Sequence, residues 1–160
     1  MKVLIIEDEA VAAQRLQILL KDYDSAIQVL GCLDSIEESV AWLQQHEHPD
    51  ILLLDIQLAD GFSFEILKRT DFKKPVIFTT AYNSYALEAF RYFSIDYLLK
   101  PVSFESLKTA LDKFKLITNV TVDYSNLFTA LKDFSGEQYK ERFLARVGQK
   151  LIFVKTSDIV

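Results

Sequence analysis

Short apolar runs alternate with longer amphipathic segments over the first three quarters of the chain. The apolar runs start at Val3, Ile27, Ile51, Val76 and Tyr97. A short apolar run without polar alternation is typical of a strand that is buried on both faces of a parallel sheet. Each run is followed by apolar residues at helical spacing, and this alternation predicts five successive β/α units over residues 1–117. The pattern therefore predicts one α/β domain with an open parallel sheet.

Local start and stop signals support these boundaries. Ser35, with Glu38 three residues later, forms a capping-box pattern, so we predict that Ser35 caps the second helix. Ser84 and Ser103 are the predicted caps of the fourth and fifth helices. The pair Asp60-Gly61 predicts a turn between the third strand and the third helix.

The pattern changes after the fifth helix. Residues 118–139 are polar and mixed, with one short apolar stripe, and predict a linker that contains a short helix. In residues 140–160, two strand-like runs, Phe143–Val147 and Leu151–Lys155, flank Gly148-Gln149 and predict a hairpin. A hairpin alone is marginally stable in water. We therefore expect residues 140–160 to be the first part of a truncated, β-rich second domain.

Composition and charge narrow the possible partners. The 160 residues are 50% hydrophobic, enough for a sizeable core, and carry a net charge of −5. Residues 140–160 hold five basic and two acidic residues, a charge of +3, which leaves −8 on residues 1–139. No apolar stretch approaches the roughly 18 residues that a membrane span requires, so no membrane association is expected. The single cysteine, Cys32, fits a reducing cytoplasm and is expected to pack inertly in the core.

Reactive polar residues follow four of the predicted strands. Glu7 and Asp8 follow the first strand, Asp55 ends the third, Thr80 ends the fourth and Lys100 follows the fifth. The carboxyl ends of parallel strands form the ligand-binding edge of such a sheet. Three neighbouring acids repel one another unless a cation neutralises them, and carboxylate oxygens suit Mg²⁺. Because a lysine and a hydroxyl suit phosphoryl oxygens, the set predicts phosphoryl transfer with Asp55 as the nucleophile.

The ordered segments IIEDE, LLLDIQL, TTA and DYLLKP resemble the receiver domain of bacterial two-component response regulators over residues 1–117. The resemblance implies a doubly wound, flavodoxin-like sheet with strand order 2-1-3-4-5. It also implies that a sensor histidine kinase donates the phosphoryl group, that Mg²⁺ is the cofactor, and that the protein is cytoplasmic and forms a homodimer on activation. Such a protein relays a signal and is not an enzyme beyond its own phosphorylation and dephosphorylation.

The resemblance assigns a role to each site residue. Asp55 matches the phosphoacceptor, Glu7 and Asp8 match the acidic pair that binds the metal, and the backbone carbonyl of Gln57 completes that metal site. Asp8 is the more direct metal ligand of the pair. Thr80 matches the switch hydroxyl, Tyr97 matches the aromatic switch residue, and Lys100 matches the phosphate-binding lysine. The resemblance also implies that the Lys100–Pro101 peptide bond is cis.

The end of the chain, YKERFLARVGQKLIFVKTSDIV, resembles the opening strands of the LytTR DNA-binding domain. This resemblance implies a transcription regulator whose receiver relays phosphorylation to a DNA-binding output domain. The alternative is a stand-alone receiver that acts only through protein–protein interaction, and the basic, β-patterned tail argues against it.

A phosphohydrolase of the haloacid dehalogenase type would need a second acid where Gln57 stands. A nucleotide-binding enzyme would need a glycine-rich loop, and the four glycines are scattered.

Overall fold

The computed structural model describes residues 1–82, 85–89, 91–119, 142–147 and 150–155. The chain divides into two compact units, Met1–Asn119 and Val120–Val160. Three predictions lie outside the described residues: the Ser84 cap, nearly all of the linker with its helix at 118–139, and the turn at Gly148-Gln149.

The elements follow one another as β1 (Lys2–Ile6), α1 (Ala10–Tyr23), β2 (Gln28–Leu33), α2 (Ile36–Gln45), β3 (Ile51–Asp55), β4 (Gln57–Leu58), β5 (Gly61–Phe62), α3 (Phe64–Thr70), β6 (Val76–Thr80), α4 (Ala86–Ala89), β7 (Ser94–Leu99), α5 (Phe104–Asn119), β8 (Arg142–Val147) and β9 (Lys150–Lys155). Five parallel strands form one sheet in the order β2-β1-β3-β6-β7. The strands β4 and β5 pair only with each other and do not belong to this sheet. When the five sheet strands alone are counted along the chain, their order is 2-1-3-4-5. The predicted flavodoxin-like sheet is confirmed.

The central strands carry the core on both of their faces. Along β3, Leu52 and Leu54 pack into the cluster that α2 and α3 cover, whereas Leu53 packs into the cluster that α1 and α5 cover. All three side chains are fully buried. Alternate residues of a strand point to opposite faces, so a continuous apolar run is what a strand between two helical layers requires.

The cap of α2 differs from the prediction. Ser35 makes no side-chain capping bond, and the first amide of the helix, that of Ile36, donates instead to Asp60 Oδ2 at 2.8 Å. The sequence pattern could not show this, because Asp60 reaches α2 from the distant turn between β4 and β5. For α5 the predicted cap is confirmed, since Ser106 donates its amide proton to Ser103 Oγ at 3.1 Å.

The predicted core packing of Cys32 is wrong. Cys32 is exposed, and its sulfur accepts a hydrogen bond from Gln17 Nε2 at 3.0 Å. The reason is the position of β2 at the edge of the sheet, where only β1 pairs with it. An apolar run in an edge strand is not buried along its whole length.

In the second unit, β8 and β9 pair antiparallel, with Arg142 opposite Lys155 and Val147 opposite Lys150. This is the pairing that the sequence predicts for a hairpin. Within the residues described above, no helix is long and apolar enough to cross a membrane.

Candidate functional site

The register of the sheet brings the polar strand ends together. Ile6 pairs with Leu54, so Glu7 emerges next to Asp55. Asp55 in turn pairs with Thr79 on the neighbouring strand β6. At the far side of β6, Thr80 pairs with Leu99, and the next residue is Lys100. The predicted site residues therefore share the carboxyl edge of four adjacent strands.

The ammonium group of Lys100 lies at the centre of an acidic cluster. Its Nζ donates to Asp55 Oδ2 at 2.6 Å, to Glu7 Oε1 at 2.8 Å and to Glu9 Oε1 at 3.3 Å. The side chains of Asp55 and Glu7 are 6% and 0% exposed, so two of the three ion pairs are screened little by water. The sequence pattern assigns Glu9 no role in the site. Only its adjacency to Glu7 and Asp8 in the sequence hints at this contact with Lys100.

Burial dominates the electrostatics of the cluster. The pKa of Glu7 is raised to about 7, mainly by desolvation and in part by the Asp55 charge, while hydrogen bonding to Lys100 works in the opposite direction. For Lys100, burial alone lowers the pKa, but the bonds to Asp55 and Glu7 outweigh burial and leave the pKa above its usual range. The ammonium group therefore stays charged at neutral pH, and Glu7 is close to its own titration point.

The acidic residues fit a hard metal cation. Glu7, Asp8 and Asp55 each offer a carboxylate oxygen, and these oxygens lie within 4.8 Å of one another. Glu7 Oε2 is buried and has no hydrogen-bond partner, which is costly unless a cation or water meets it. Gln57 lies next to this set, and its backbone amide donates to Asp55 Oδ1 at 3.2 Å. Oxygen donors in this number, with room for water, are the ligands that Mg²⁺ prefers.

The two predicted switch residues are joined through one intervening residue. The hydroxyl oxygen of Thr80, which is fully buried, accepts a hydrogen bond from the Tyr82 amide at 3.2 Å. The Tyr97 hydroxyl donates to the carbonyl oxygen of the same Tyr82. A change at Thr80 can therefore reach Tyr97 through the backbone of Tyr82. The role of Tyr82 was not predicted, because it depends on main-chain atoms.

A cavity of about 360 Å³ opens beside the cluster, between the sheet edge and α1. Its walls include Glu7, Leu16, Thr79, Lys100 and Val102. Thr79 Oγ1 is buried there without a hydrogen-bond partner. The Lys100–Pro101 peptide bond that borders the cavity is cis, which confirms the prediction.

Comparison with known proteins agrees with this geometry. Residues 3–112 match the protein family described as response regulator receiver domain. The response regulatory domain of the protein mrkE from Klebsiella pneumoniae is similar in structure, with a TM-score of 0.66 and 30% sequence identity. That similarity covers 73% of this chain and 97% of the mrkE domain.

Two relatives extend the comparison to longer proteins. The sensory transduction protein LytT of Bacillus anthracis is 32% identical over 163 aligned residues, which cover 100% of this chain and 64% of LytT. The transcriptional regulatory protein BtsR of Salmonella typhi is 36% identical over 118 residues, which cover 71% of this chain and 48% of BtsR. The chain thus spans about two thirds of the length of LytT and aligns with it beyond the receiver.

Proposed function

This chain belongs to the response regulator receiver family, and on that premise we propose that Asp55 accepts a phosphoryl group from a sensor histidine kinase in a Mg²⁺-dependent reaction. The observation that carries the proposal is the position of Lys100 Nζ, 2.6 Å from Asp55 Oδ2 inside a cluster of three further acids. A buried carboxylate with a cation on one side and metal-binding oxygens on the other is arranged to receive a phosphoryl group.

In the proposed reaction, a carboxylate oxygen of Asp55 attacks the phosphorus of the phosphohistidine. The phosphorus–nitrogen bond breaks as the phosphorus–oxygen bond forms, and the imidazole nitrogen keeps the electron pair of the broken bond. Lys100 then exchanges its carboxylate partner for a phosphoryl oxygen, and Thr80 donates its hydroxyl proton to another. Mg²⁺, held by Glu7, Asp8, Asp55 and the Gln57 carbonyl, would supply charge neutralisation when bound.

The same proposal includes a relay from the phosphoryl group to a protein surface. Movement of the Thr80 hydroxyl toward the phosphoryl group would break its hydrogen bond to the Tyr82 amide. Because the carbonyl oxygen of Tyr82 accepts the Tyr97 hydroxyl proton, the change would reach Tyr97. The Tyr97 ring fills the vacated space, and the surface built by α4, β7 and α5 changes as a population shift. This surface would favour a homodimer of activated receivers.

The output proposal concerns the second unit. We assign residues 140–160 to the start of a LytTR-like DNA-binding domain and residues 118–139 to the linker that precedes it. The receiver would control transcription in the cytoplasm through this domain. Two observations support the assignment: the β8–β9 hairpin and the alignment with LytT along the whole chain. The charge of +3 on residues 140–160 would add a non-specific attraction to DNA phosphates.

Intact-mass spectrometry after incubation with acetyl phosphate and MgCl₂ tests the phosphoacceptor. We expect the wild-type protein to gain one phosphoryl group and Asp55→Asn to gain none. Asp22→Asn, a matched change at an exposed position of α1, should be labelled like the wild type. Equal labelling of Asp55→Asn and wild type would contradict the assignment.

A further inference from the structure

A very short β-ribbon carries Gln57 beside the phosphoacceptor. The ribbon consists of β4 and β5, in which Gln57 pairs with Phe62 and Leu58 pairs with Gly61. Two residues in each strand are too few to hold such a ribbon in water. Because the Gln57 amide donates to Asp55 Oδ1, the position of the ribbon also affects the orientation of the Asp55 carboxylate.

One anchor holds the tip of the ribbon to α2. The Asp60 carboxylate accepts the first amide proton of the helix, that of Ile36, at 2.8 Å. Gly61, next to it, has a φ of 141°, and a Cβ atom there would lie 3.2 Å from Ile36 Cδ1. The close approach and the backbone conformation together require glycine at this position. The ribbon tip is therefore fitted closely onto the start of α2.

A second anchor holds the base of the ribbon. Gln57 Nε2 donates to the Tyr85 hydroxyl oxygen at 3.3 Å, and the rings of Phe62 and Tyr85 lie 5.3 Å apart. Both contacts come from one residue, Tyr85, which directly precedes α4. The bond from Gln57 is long and neutral, whereas the bond to Asp60 is short and charge-assisted, so the anchor at α2 is the stronger of the two.

We propose that Asp60 is a positioning residue of the phosphorylation site, which holds Gln57 and the Asp55 carboxylate in place by tying the ribbon to α2. This inference rests on the proposed function, because it takes the Gln57 carbonyl as a metal ligand. The first amide of a helix needs an acceptor, and the helix dipole favours a carboxylate at that end. When Asp60 is removed, the ribbon tip loses its hydrogen bond to α2, and the remaining contacts are the weaker Tyr85 anchor and the buried side chain of Leu58 at the base of the ribbon.

A Mg²⁺ titration of the 160-residue protein, followed through backbone amide shifts in NMR spectra, tests this role. We expect Asp60→Ala to bind Mg²⁺ about tenfold more weakly, the lower end of the usual cost of losing a residue that supports metal ligands. Asp60→Asn should restore the affinity to within about twofold, because asparagine caps helices as well as aspartate does. Hydrogen exchange of the Ile36 amide reports the anchor directly and should be faster only in Asp60→Ala.

Two controls separate positioning from general destabilisation. Ser35→Ala should leave both measurements unchanged, since Ser35 makes no capping bond. Phe114→Leu removes buried volume from the opposite face of the sheet, so it should lower the unfolding midpoint without weakening Mg²⁺ binding. If Asp60→Ala does not fold, Asp60→Glu replaces it, because its longer side chain displaces the ribbon while keeping the charge.

The outcomes distinguish the two proposals. Wild-type affinity for Mg²⁺ in Asp60→Ala, or in Asp60→Glu where that variant replaces it, overturns the positioning role. Equal weakening in Phe114→Leu overturns it as well. If the wild-type protein binds no Mg²⁺, the proposed function itself fails, and the Ile36 exchange rates then show whether the anchor exists.

Discussion

Thr79 and Thr80 are neighbours in the sequence, but they face opposite sides of the sheet and meet different surroundings. Thr79 lines the cavity beside α1, and its hydroxyl is buried without a partner. Thr80 accepts a hydrogen bond from Tyr82, whose carbonyl oxygen accepts the Tyr97 hydroxyl proton. Because successive residues of a strand point to opposite faces, one dipeptide at the end of β6 contributes to both regions.

The two sides of the sheet differ in the kind of interaction that they carry, since one holds charged groups and the other holds neutral hydrogen bonds. The α1 side holds the ion pairs of Lys100 with Glu7 and Glu9, and its pKa values are the strongly shifted ones among the described residues. The α4 side holds a chain of neutral hydrogen bonds that leads away from the site. Under the proposed function, the first region would bind the metal and the phosphoryl group, and the second would transmit that binding to a surface. Asp55 lies where the two regions meet.

Removal of a proposed metal ligand should have the largest effect on Mg²⁺ binding, and the effect should be confined to the charged region. We expect Asp8→Ala to weaken Mg²⁺ binding by about 100-fold, the upper end of the usual cost of losing a residue that supports metal ligands. Glu9→Ala is the matched control, because Glu9 contacts Lys100 and is not part of the metal-binding set. Its affinity should change by no more than about twofold in the same NMR titration. Similar losses in both variants would show that the cluster attracts Mg²⁺ by overall charge and not through specific ligands.

The next prediction distinguishes Thr80 from Thr79 by the NMR shifts that follow binding of a phosphoryl mimic. With the beryllofluoride mimic of the phosphoryl group bound, the amide signals of Tyr82 and Tyr97 should shift in wild type and in Thr79→Val. In Thr80→Val these shifts should be lost, because valine keeps the shape of threonine and lacks its hydroxyl.

The free energy of unfolding is a second measurement that distinguishes Thr79→Val from Thr80→Val. Thr79→Val removes a buried hydroxyl without a partner, so it should raise the free energy of unfolding by about 1 kcal/mol. Thr80→Val leaves the Tyr82 amide without its acceptor and should not be stabilising. A pair of variants that behave alike would argue against the division of the site into two regions.

The charged region was more predictable from the sequence than the relay. Asp55 and Lys100 directly end or follow apolar strand runs, so their position at the sheet edge follows from strand patterning alone. Asp60 and Tyr82 act through contacts between segments distant in the sequence or through backbone atoms, and no local pattern reveals these. The same limit explains the errors at Ser35 and Cys32, whose surroundings depend on a distant turn and on the order of the strands.

The last prediction is a pH dependence of stability that originates in Glu7. Its pKa is raised to about 7 in the folded protein, from 4.5 in the unfolded chain, mainly because burial disfavours the charged form. The folded state therefore binds more protons than the unfolded state between these values, and stability decreases as the pH rises through that window. The loss is at most about 3.5 kcal/mol, because one pKa unit corresponds to about 1.4 kcal/mol.

The comparison of wild type with Glu7→Gln isolates this contribution, because glutamine resembles the protonated, uncharged form of Glu7. In urea denaturation without Mg²⁺, the stability advantage of Glu7→Gln over wild type should be small at pH 5, where the loss has only begun, and should grow toward pH 8. Carboxylates with lowered pKa values, such as Asp112, change stability in the opposite direction, but they do so equally in both proteins and cancel. Added Mg²⁺ should reduce the difference at pH 8, because the charged form of Glu7 then has a cation to bind. A difference that stays constant from pH 5 to pH 8 would mean that Glu7 keeps an ordinary pKa, and that the charge of Lys100 fully offsets its burial.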